Sequence, residues 1–182
     1  MGEKEDLIFW LLVAGAIGVL LWQSENIGDA VTAAVNGWEN VEEGPVWVPV
    51  INQAESAAGI PTNLLARMAY QESHFRPDVI SGETASSAGA LGILQLMPQY
   101  FSTVQVAVPF NAGDTTAQIS QAAQQLASLY NTFSDWTLAL AAYNWGSGNV
   151  QKYLAGTVTM PAETSAYVAD IIADVPVPGA LA

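Results

Sequence analysis

The sequence predicts an all-helical domain that follows a single hydrophobic membrane helix. Two observations favour this fold class. From about Val46 to Ala182 the apolar residues recur at helical spacing, and no run alternates convincingly as a half-buried strand would. Near the amino terminus, Leu7 to Trp22 is apolar throughout. Hydrophobic residues make up 51% of the 182-residue chain, which is enough for a core and excludes a disordered chain.

The apolar run Leu7 to Trp22 is interpreted as a membrane anchor within residues 1–25. Its 16 residues would span about 24 Å as a helix, so flanking residues must help it cross a hydrocarbon core of ~30 Å. A cleaved signal peptide and a buried core helix are the alternatives. Cleavage is disfavoured because the leader Gly2 to Asp6 is net acidic and the triplet Ala14 to Ala16, which resembles a cleavage site, lies inside the run.

The charges around the anchor predict its orientation and a spacer. Lys4 precedes the run, and the next basic residue is Arg67. The positive-inside rule then puts the amino terminus in the cytoplasm and the rest of the chain across the membrane. Residues 26–45 contain acids but no base and end in the turn signal Glu42 to Pro45. They are interpreted as a solvated spacer, or alternatively as a docking element for an envelope or virion protein.

Helix signals divide the domain predicted for residues 46–182. Gly59 to Pro61 separates the first helix from the second, and Pro61 is expected in the first turn of the second helix. The stretch Ala117 to Tyr130 is a predicted helix because its apolar residues fall on one face. Trp136 to Asn144 is predicted to be a compact, alanine-rich helix. Pro161 is expected to open the last helix.

The composition excludes several classes of function. Lys and Arg total 4 against 17 Asp and Glu, for a formal net charge of −13, so nucleic acid is not an expected partner. The chain has no cysteine and one histidine, His74, which excludes disulfides, thiolate chemistry and a histidine-rich metal centre. Carboxylates, hydroxyls, amides and aromatic rings remain, and these suit glycoside chemistry.

One glutamate occupies a position where the helical pattern calls for an apolar residue. Leu65, Met68 and Ala69 form an apolar stripe, and the next position on it is Glu72. Burial there, in the last turn of a helix, would raise the pKa of the carboxyl and keep it protonated near neutral pH, as a general acid requires. The alternatives are a glutamate paired with a base such as Arg76, or an exposed one at a frayed helix end.

Four segments carry a resemblance to a known family. They read ARMAYQESHFRPDVIS, GALGILQLMP, LALAAYNWGSGNV and PAETSAYVADI. In this order and relative spacing they resemble the motifs of lytic transglycosylases of the soluble Slt type, the catalytic domains of glycoside hydrolase family 23. The resemblance runs from about Val46 to Asp174 and implies a lysozyme-like fold acting on peptidoglycan, with no metal or cofactor.

The resemblance also implies roles for individual residues. Glu72 would protonate the glycosidic oxygen between N-acetylmuramic acid and N-acetylglucosamine, and would then act as base on the muramic C6 hydroxyl to give a 1,6-anhydro end. Glu163 would organise the site, and Gly92 would let the backbone approach the sugar. The residues that would contact substrate are Ser81, Gln95, Met97, Tyr143, Asn144 and Tyr167.

The chain departs from the family pattern in two places. The loop Gly82 to Ala88 is longer than expected, and Trp145 to Gly148 replaces the usual Ala-Gly-Pro-Gly. No second acid accompanies Glu72 at a motif position, although Asp78 and Glu83 remain candidates for the hydrolytic, goose-type muramidase alternative.

A third interpretation of the sequence is a catalytically silent peptidoglycan-binding or structural protein. The retention of Glu72, Gln95, Tyr143 and Tyr167 argues against it. The anchor fits a single-pass envelope enzyme facing the periplasm, or a membrane-associated component of a bacteriophage virion.

Overall fold

The described part of the protein is built from helices packed around a central one. The computed structural model describes residues 37–97 and 114–177. A 3₁₀ turn at Gly37–Asn40 is followed by α1 (Gly44–Ala58), α2 (Leu64–Ser73), α3 (Pro77–Ile80), α4 (Thr115–Phe133), α5 (Trp136–Trp145), α6 (Ser147–Leu154) and α7 (Ala162–Asp174). Within these two ranges the only β-type pairing is an isolated bridge between Leu91 and Leu96. The predicted all-helical fold class is confirmed for the described residues.

Helix α5 lies at the centre of the packing. It contacts α4, α6 and α7, while α1 packs on α2 and α4. Its alanine-rich sequence explains this position, because Ala139, Ala141 and Ala142 are buried and their small side chains let neighbouring helices approach closely. Asp135 caps α5 by accepting a hydrogen bond from the Leu138 N–H at 2.9 Å.

The predicted stripe of α4 faces the core. Ile119, Ala122, Ala123 and Leu126 are all buried, as the helical periodicity required. Asp114 caps the helix through a 3.0 Å hydrogen bond from the Ala117 N–H, so α4 begins two residues earlier than the apolar pattern indicated.

The start of α2 differs from the prediction. Pro61 does not lie in its first turn, because the helix begins at Leu64. The Pro61 carbonyl instead accepts a 3.1 Å hydrogen bond from the Leu64 N–H in a turn that precedes the helix. Asn63, the residue before α2, is left-handed with φ 69°, a conformation that ends this turn and aims the chain into the helix.

The packed body begins earlier than residue 46, where the sequence placed the end of an acidic spacer. Trp38 is 8% exposed and belongs to the core. The Glu39 carboxylate accepts a 2.8 Å hydrogen bond from the Asn63 side chain, and a side chain at Gly44 would collide with the Glu39 carbonyl. Glu39 thus has a partner within the described fold, which its charge alone does not predict.

The predicted anchor Leu7 to Trp22 and the first part of the spacer lie outside the described residues. Among residues 37–97 and 114–177, no helix combines the length and the apolar character needed to cross a bilayer.

An ion pair between the buried Arg67 and the exposed Asp174 fixes α2 against α7. Nε of Arg67 donates to Oδ2 of Asp174 at 2.6 Å. The same guanidinium donates to Oε1 of Gln71 at 2.8 Å and to the Asp170 carbonyl at 3.3 Å. Three acceptors on one planar donor group constrain the relative placement of the two helices, and these are the helices that carry Glu72 and Tyr167.

Candidate active site

Glu72 lies where the stripe predicted it, in the last turn of α2. Leu65, Met68 and Ala69, which precede it on the stripe, are fully buried. Glu72 itself is half-buried, so its carboxyl is largely removed from water but remains within reach of solvent. A carboxyl at this end of a helix also faces the negative end of the helix dipole.

Burial dominates the electrostatics of Glu72. It raises the pKa of the carboxyl from 4.5 to about 7. Tyr167 acts in the opposite direction, because its hydroxyl donates a 2.8 Å hydrogen bond to Oε1 of Glu72 and favours the charged form. The result is a carboxyl poised to hold or release a proton near neutral pH.

The expected alternative of an ion-paired Glu72 is wrong in the described structure. Arg76 pairs with Asp78 at 2.6 Å, and Arg67 pairs with Asp174. Arg76 prefers Asp78 because the two residues are close in sequence and both are solvent-accessible, which avoids burying the guanidinium beside Glu72.

Two tyrosines surround the carboxyl. The pKa of the buried Tyr167 hydroxyl is raised well above its usual value by burial and then by the charge of Glu72. The same two causes, in the same order, raise the pKa of Tyr143. Tyr143 donates a 3.1 Å hydrogen bond to the Leu94 carbonyl, so its proton is not directed at Glu72. Both phenols stay protonated and act as donors.

A cavity of about 470 Å³ adjoins Tyr143. We call it the Tyr143 cavity. It brings together four of the predicted substrate-contacting residues, namely Gln95, Met97, Tyr143 and Asn144. The other lining residues are Leu96, Gln121, Gln125, Ala142, Trp145, Gly146 and Ser147. Its size is typical of a pocket for a small ligand.

The backbone that presents Gln95 is tightly turned. Gln95 adopts φ 45°, and its Nε2 donates to the Gly92 carbonyl at 2.9 Å. Gly92 has φ 80°, and a Cβ there would overlap the Gln118 amide. The structure thus gives Gly92 a packing reason that differs from the expected close approach to substrate.

Asn144 is oriented by a residue that the sequence analysis did not single out. The buried Thr164 donates from Oγ1 to Oδ1 of Asn144 at 2.8 Å, and this bond leaves the Asn144 amide N–H groups for a ligand. Thr164 lies between Glu163 and Tyr167 in the segment PAETSAYVADI. Its place in that motif was the sequence signal that could have identified it. Glu163 itself is exposed in the first turn of α7.

A comparison with protein families identifies the domain. The family model of the transglycosylase SLT domain matches residues 49–164. The chain belongs to this family. The match includes Glu72 and the Tyr143 cavity and ends three residues before Tyr167.

Solved structures resemble this SLT domain as well. The 70-kDa soluble lytic transglycosylase of Escherichia coli matches with 22% identity and a TM-score of 0.58, over 93% of this chain and 33% of that one. A structure of the 70-kDa soluble lytic transglycosylase in complex with bulgecin A matches with 23% identity and the same TM-score and coverage. This chain therefore spans about a third of the length of those proteins, and the likeness shows the fold.

Ser81 of the SLT domain lies apart from the other predicted residues. It lines a second cavity of about 530 Å³ with Asp78 and Glu83. Its hydroxyl donates to the Asp78 carbonyl at 3.2 Å and accepts from the Glu83 N–H at 3.4 Å. Ser81 thus closes a local turn at the start of the long loop. The pKa of Asp78 is lowered, chiefly by a 2.7 Å hydrogen bond from the Thr84 hydroxyl and also by Arg76.

A second glutamate on an apolar stripe was missed. Glu55 follows Val48 and Ile51 on α1 and is buried. Its two carboxyl oxygens accept hydrogen bonds from the Asn63 and Ala66 N–H groups at 2.7 and 2.9 Å, at the start of α2. Burial raises its pKa from 4.5 to about 7, against the lowering effect of these bonds. The criterion that identified Glu72, a glutamate at an apolar position of a helical stripe, applies equally to Glu55 on α1.

No group of three or more His, Asp and Glu side chains in residues 37–97 and 114–177 is placed to hold a metal ion.

Proposed function

We propose that this chain is a peptidoglycan lytic transglycosylase that uses Glu72 as general acid and base. The substrate bond is the β-1,4 linkage between N-acetylmuramic acid and N-acetylglucosamine. The observation that carries the proposal is a half-buried carboxyl with a pKa of about 7, hydrogen-bonded by Tyr167. Membership of the SLT domain family supports it, as does the fold shared with a soluble lytic transglycosylase.

The first step is proton donation. Protonated Glu72 gives its proton to the glycosidic oxygen as the bond to the muramic C1 breaks, which frees the alcohol of the departing sugar. The pKa of about 7 keeps a useful fraction of the carboxyl protonated at neutral pH. The Tyr167 hydroxyl then stabilises the new carboxylate through its 2.8 Å hydrogen bond.

The second step closes the ring. The Glu72 carboxylate removes the proton of the muramic C6 hydroxyl while O6 bonds to C1, which forms the 1,6-anhydro sugar and regenerates the acid. A hydroxyl already held near C1 has an effective molarity of ~10⁵ M or more in favourable systems. It therefore competes well against water without a second carboxylate.

The acids near the site favour this reaction over the goose-type muramidase alternative. A hydrolase would need a second carboxylate near Glu72, about 5 Å away in a retaining enzyme and about 6.5–9.5 Å away in an inverting one. Burial and the Tyr167 hydrogen bond are the causes of the pKa shift of Glu72, and no neighbouring carboxylate contributes to it. Asp78 and Glu83 line the other cavity, and Asp78 is held by Arg76 and Thr84.

The proposal extends to location. The anchor Leu7 to Trp22 would hold the catalytic domain against a membrane, on the periplasmic side of a cell or in a bacteriophage virion. Residues 26–36 would then link the anchor to a body that packs from Trp38 onward and would be available to envelope or virion partners.

Mass spectrometry of digested sacculi tests the reaction. We expect muropeptides with 1,6-anhydro-muramic ends, each lighter by one water than the hydrolysed product. The Glu72→Gln protein serves as the matched control for background activity. A digest rich in reducing muramic ends would support the muramidase instead, and no released product would support the silent binding protein.

A further inference from the structure

A buried amide on α4 contributes to the wall of the Tyr143 cavity. Gln121 is 4% exposed, yet it lines the cavity. Its Oε1 is buried and accepts no hydrogen bond from the described residues. Gln125 lies one turn further along the same face of α4, lines the same cavity and is exposed.

An unpaired acceptor of this kind is unfavourable in a core. Burying an amide oxygen without a donor removes it from water with no hydrogen bond to compensate. The surrounding helix does not require a polar residue at this point, since Gln121 precedes the buried Ala122 and Ala123. Because Oε1 lies beneath the surface of the cavity wall, a ligand N–H or O–H group would reach it after a rotation of the Gln121 amide, and the new bond would recover the free energy lost on burial.

We propose that Gln121 recognises the acetamido group of a sugar in the Tyr143 cavity. This inference rests on the proposed function, because it names the part of the amino-sugar substrate that the cavity binds. The acetamido N–H would donate to Oε1 of Gln121, and the Gln125 amide would donate to the acetamido carbonyl. No residue of the cavity needs to change its charge for this contact.

The apolar wall completes the match. An acetamido group ends in a methyl, which gains free energy when it leaves water. Leu96 and Ala142 are buried beside the cavity, and Met97 is half-buried and flexible enough to cover a methyl. A cavity with one orphaned acceptor, nearby amide donors and a small apolar wall is complementary to an acetamido group rather than to a bare hydroxyl.

The Gln121→Met variant tests the assignment, because methionine keeps the length of the side chain and removes its acceptor. Binding of a β-1,4 tetramer of N-acetylglucosamine is measured by calorimetry in the non-cleaving Glu72→Gln background. We expect Kd to rise about three- to tenfold, the range of one lost hydrogen bond. In the otherwise native protein, KM for peptidoglycan should rise while kcat changes little. The melting temperature should stay equal or increase.

Gln124→Met is the matched control, since Gln124 is exposed on the same helix, and its Kd and KM should stay at the parent values. Equal Kd for the Gln121→Met and parent proteins would overturn the inference. So would loss of folding in Gln121→Met, because the amide would then be structural. Failure of the parent protein to release any muropeptide from sacculi would instead overturn the proposed function, and this is measured separately.

Discussion

The Tyr167 hydroxyl donates a 2.8 Å hydrogen bond to Oε1 of Glu72 across 95 positions of sequence. The bond depends on how α7 lies against α2, and Arg67 sets this placement by bonding to Asp174 and to the Asp170 carbonyl. The protonation state of the candidate acid is therefore controlled by tertiary packing.

Replacing Glu72 by Gln should abolish lysis and leave the fold intact. Loss of a general acid costs about 10²–10⁴-fold in rate. The amide oxygen of Gln can still accept the Tyr167 hydrogen bond, and a neutral group is easier to bury than a carboxylate. Zymography on peptidoglycan and a thermal melt measure the two effects.

The control for Glu72→Gln is Glu42→Gln, which changes an exposed acid that lines neither cavity. Its lytic activity should remain within a few-fold of the parent. Near-normal lysis by a folded Glu72→Gln protein would move the catalytic role elsewhere, first to Glu83 or Glu163.

The Glu72→Gln variant should also flatten the pH dependence of stability. The folded-state pKa of Glu72 is about 7 and its ordinary value is 4.5, so the folded protein holds a proton that the unfolded chain releases in this interval. Stability from this group is full at low pH and falls as the pH rises toward 7, by at most about 1.4 kcal/mol per pH unit. The melting temperature of the variant, relative to the parent, should therefore rise between about pH 4.5 and pH 7. A constant difference would contradict the raised pKa.

Replacing Tyr167 by Phe should shift the pH profile of activity upward. The Tyr167 hydrogen bond favours the ionised carboxyl, and its loss raises the pKa of Glu72 further. The alkaline limb of kcat/KM, where the acid loses its proton, should then move to higher pH. Tyr153→Phe, which changes an exposed ring, should leave the profile in place. An unchanged limb in Tyr167→Phe would show that the hydroxyl does not act on the catalytic acid.

Replacing Glu55 by Gln should destabilise the protein, unlike the same change at Glu72. Both oxygens of Glu55 accept backbone N–H bonds from the start of α2, and an amide can accept only one of them. The unmatched N–H should lower the free energy of unfolding by about 1–3 kcal/mol. Urea denaturation of the two variants side by side measures this contrast, and equal stability would refute the capping role.

The amino-terminal run should remain on the mature protein. Sequencing of membrane-purified material should begin near Met1, and a start at Ile17 or later would establish cleavage. Deleting residues 1–25 should leave a folded domain with the parent melting temperature, because the described core begins at Trp38. A deletion protein that fails to fold would indicate that the run packs in the core.

The sequence by itself determined the helices and the position of the unusual carboxyl. Apolar spacing predicted the buried stripe of α4 and put Glu72 at the end of the stripe of α2, because a helix repeats within a few residues and its face can be read locally. The same local rule missed the true start of α2, where the Pro61 carbonyl closes a turn before Leu64.

Only the tertiary structure distinguished the two glutamates on apolar stripes. Glu55 meets the N–H groups of α2, whereas Glu72 meets the Tyr167 hydroxyl. The tertiary structure also places Ser81 in a different cavity from Gln95 and Tyr143, and it places Gln121 in the wall of the Tyr143 cavity. Hydrogen-bond partners come from elements far apart in the chain. The spacing of residues along one helix therefore carries no information about which distant residue will bond to a given side chain.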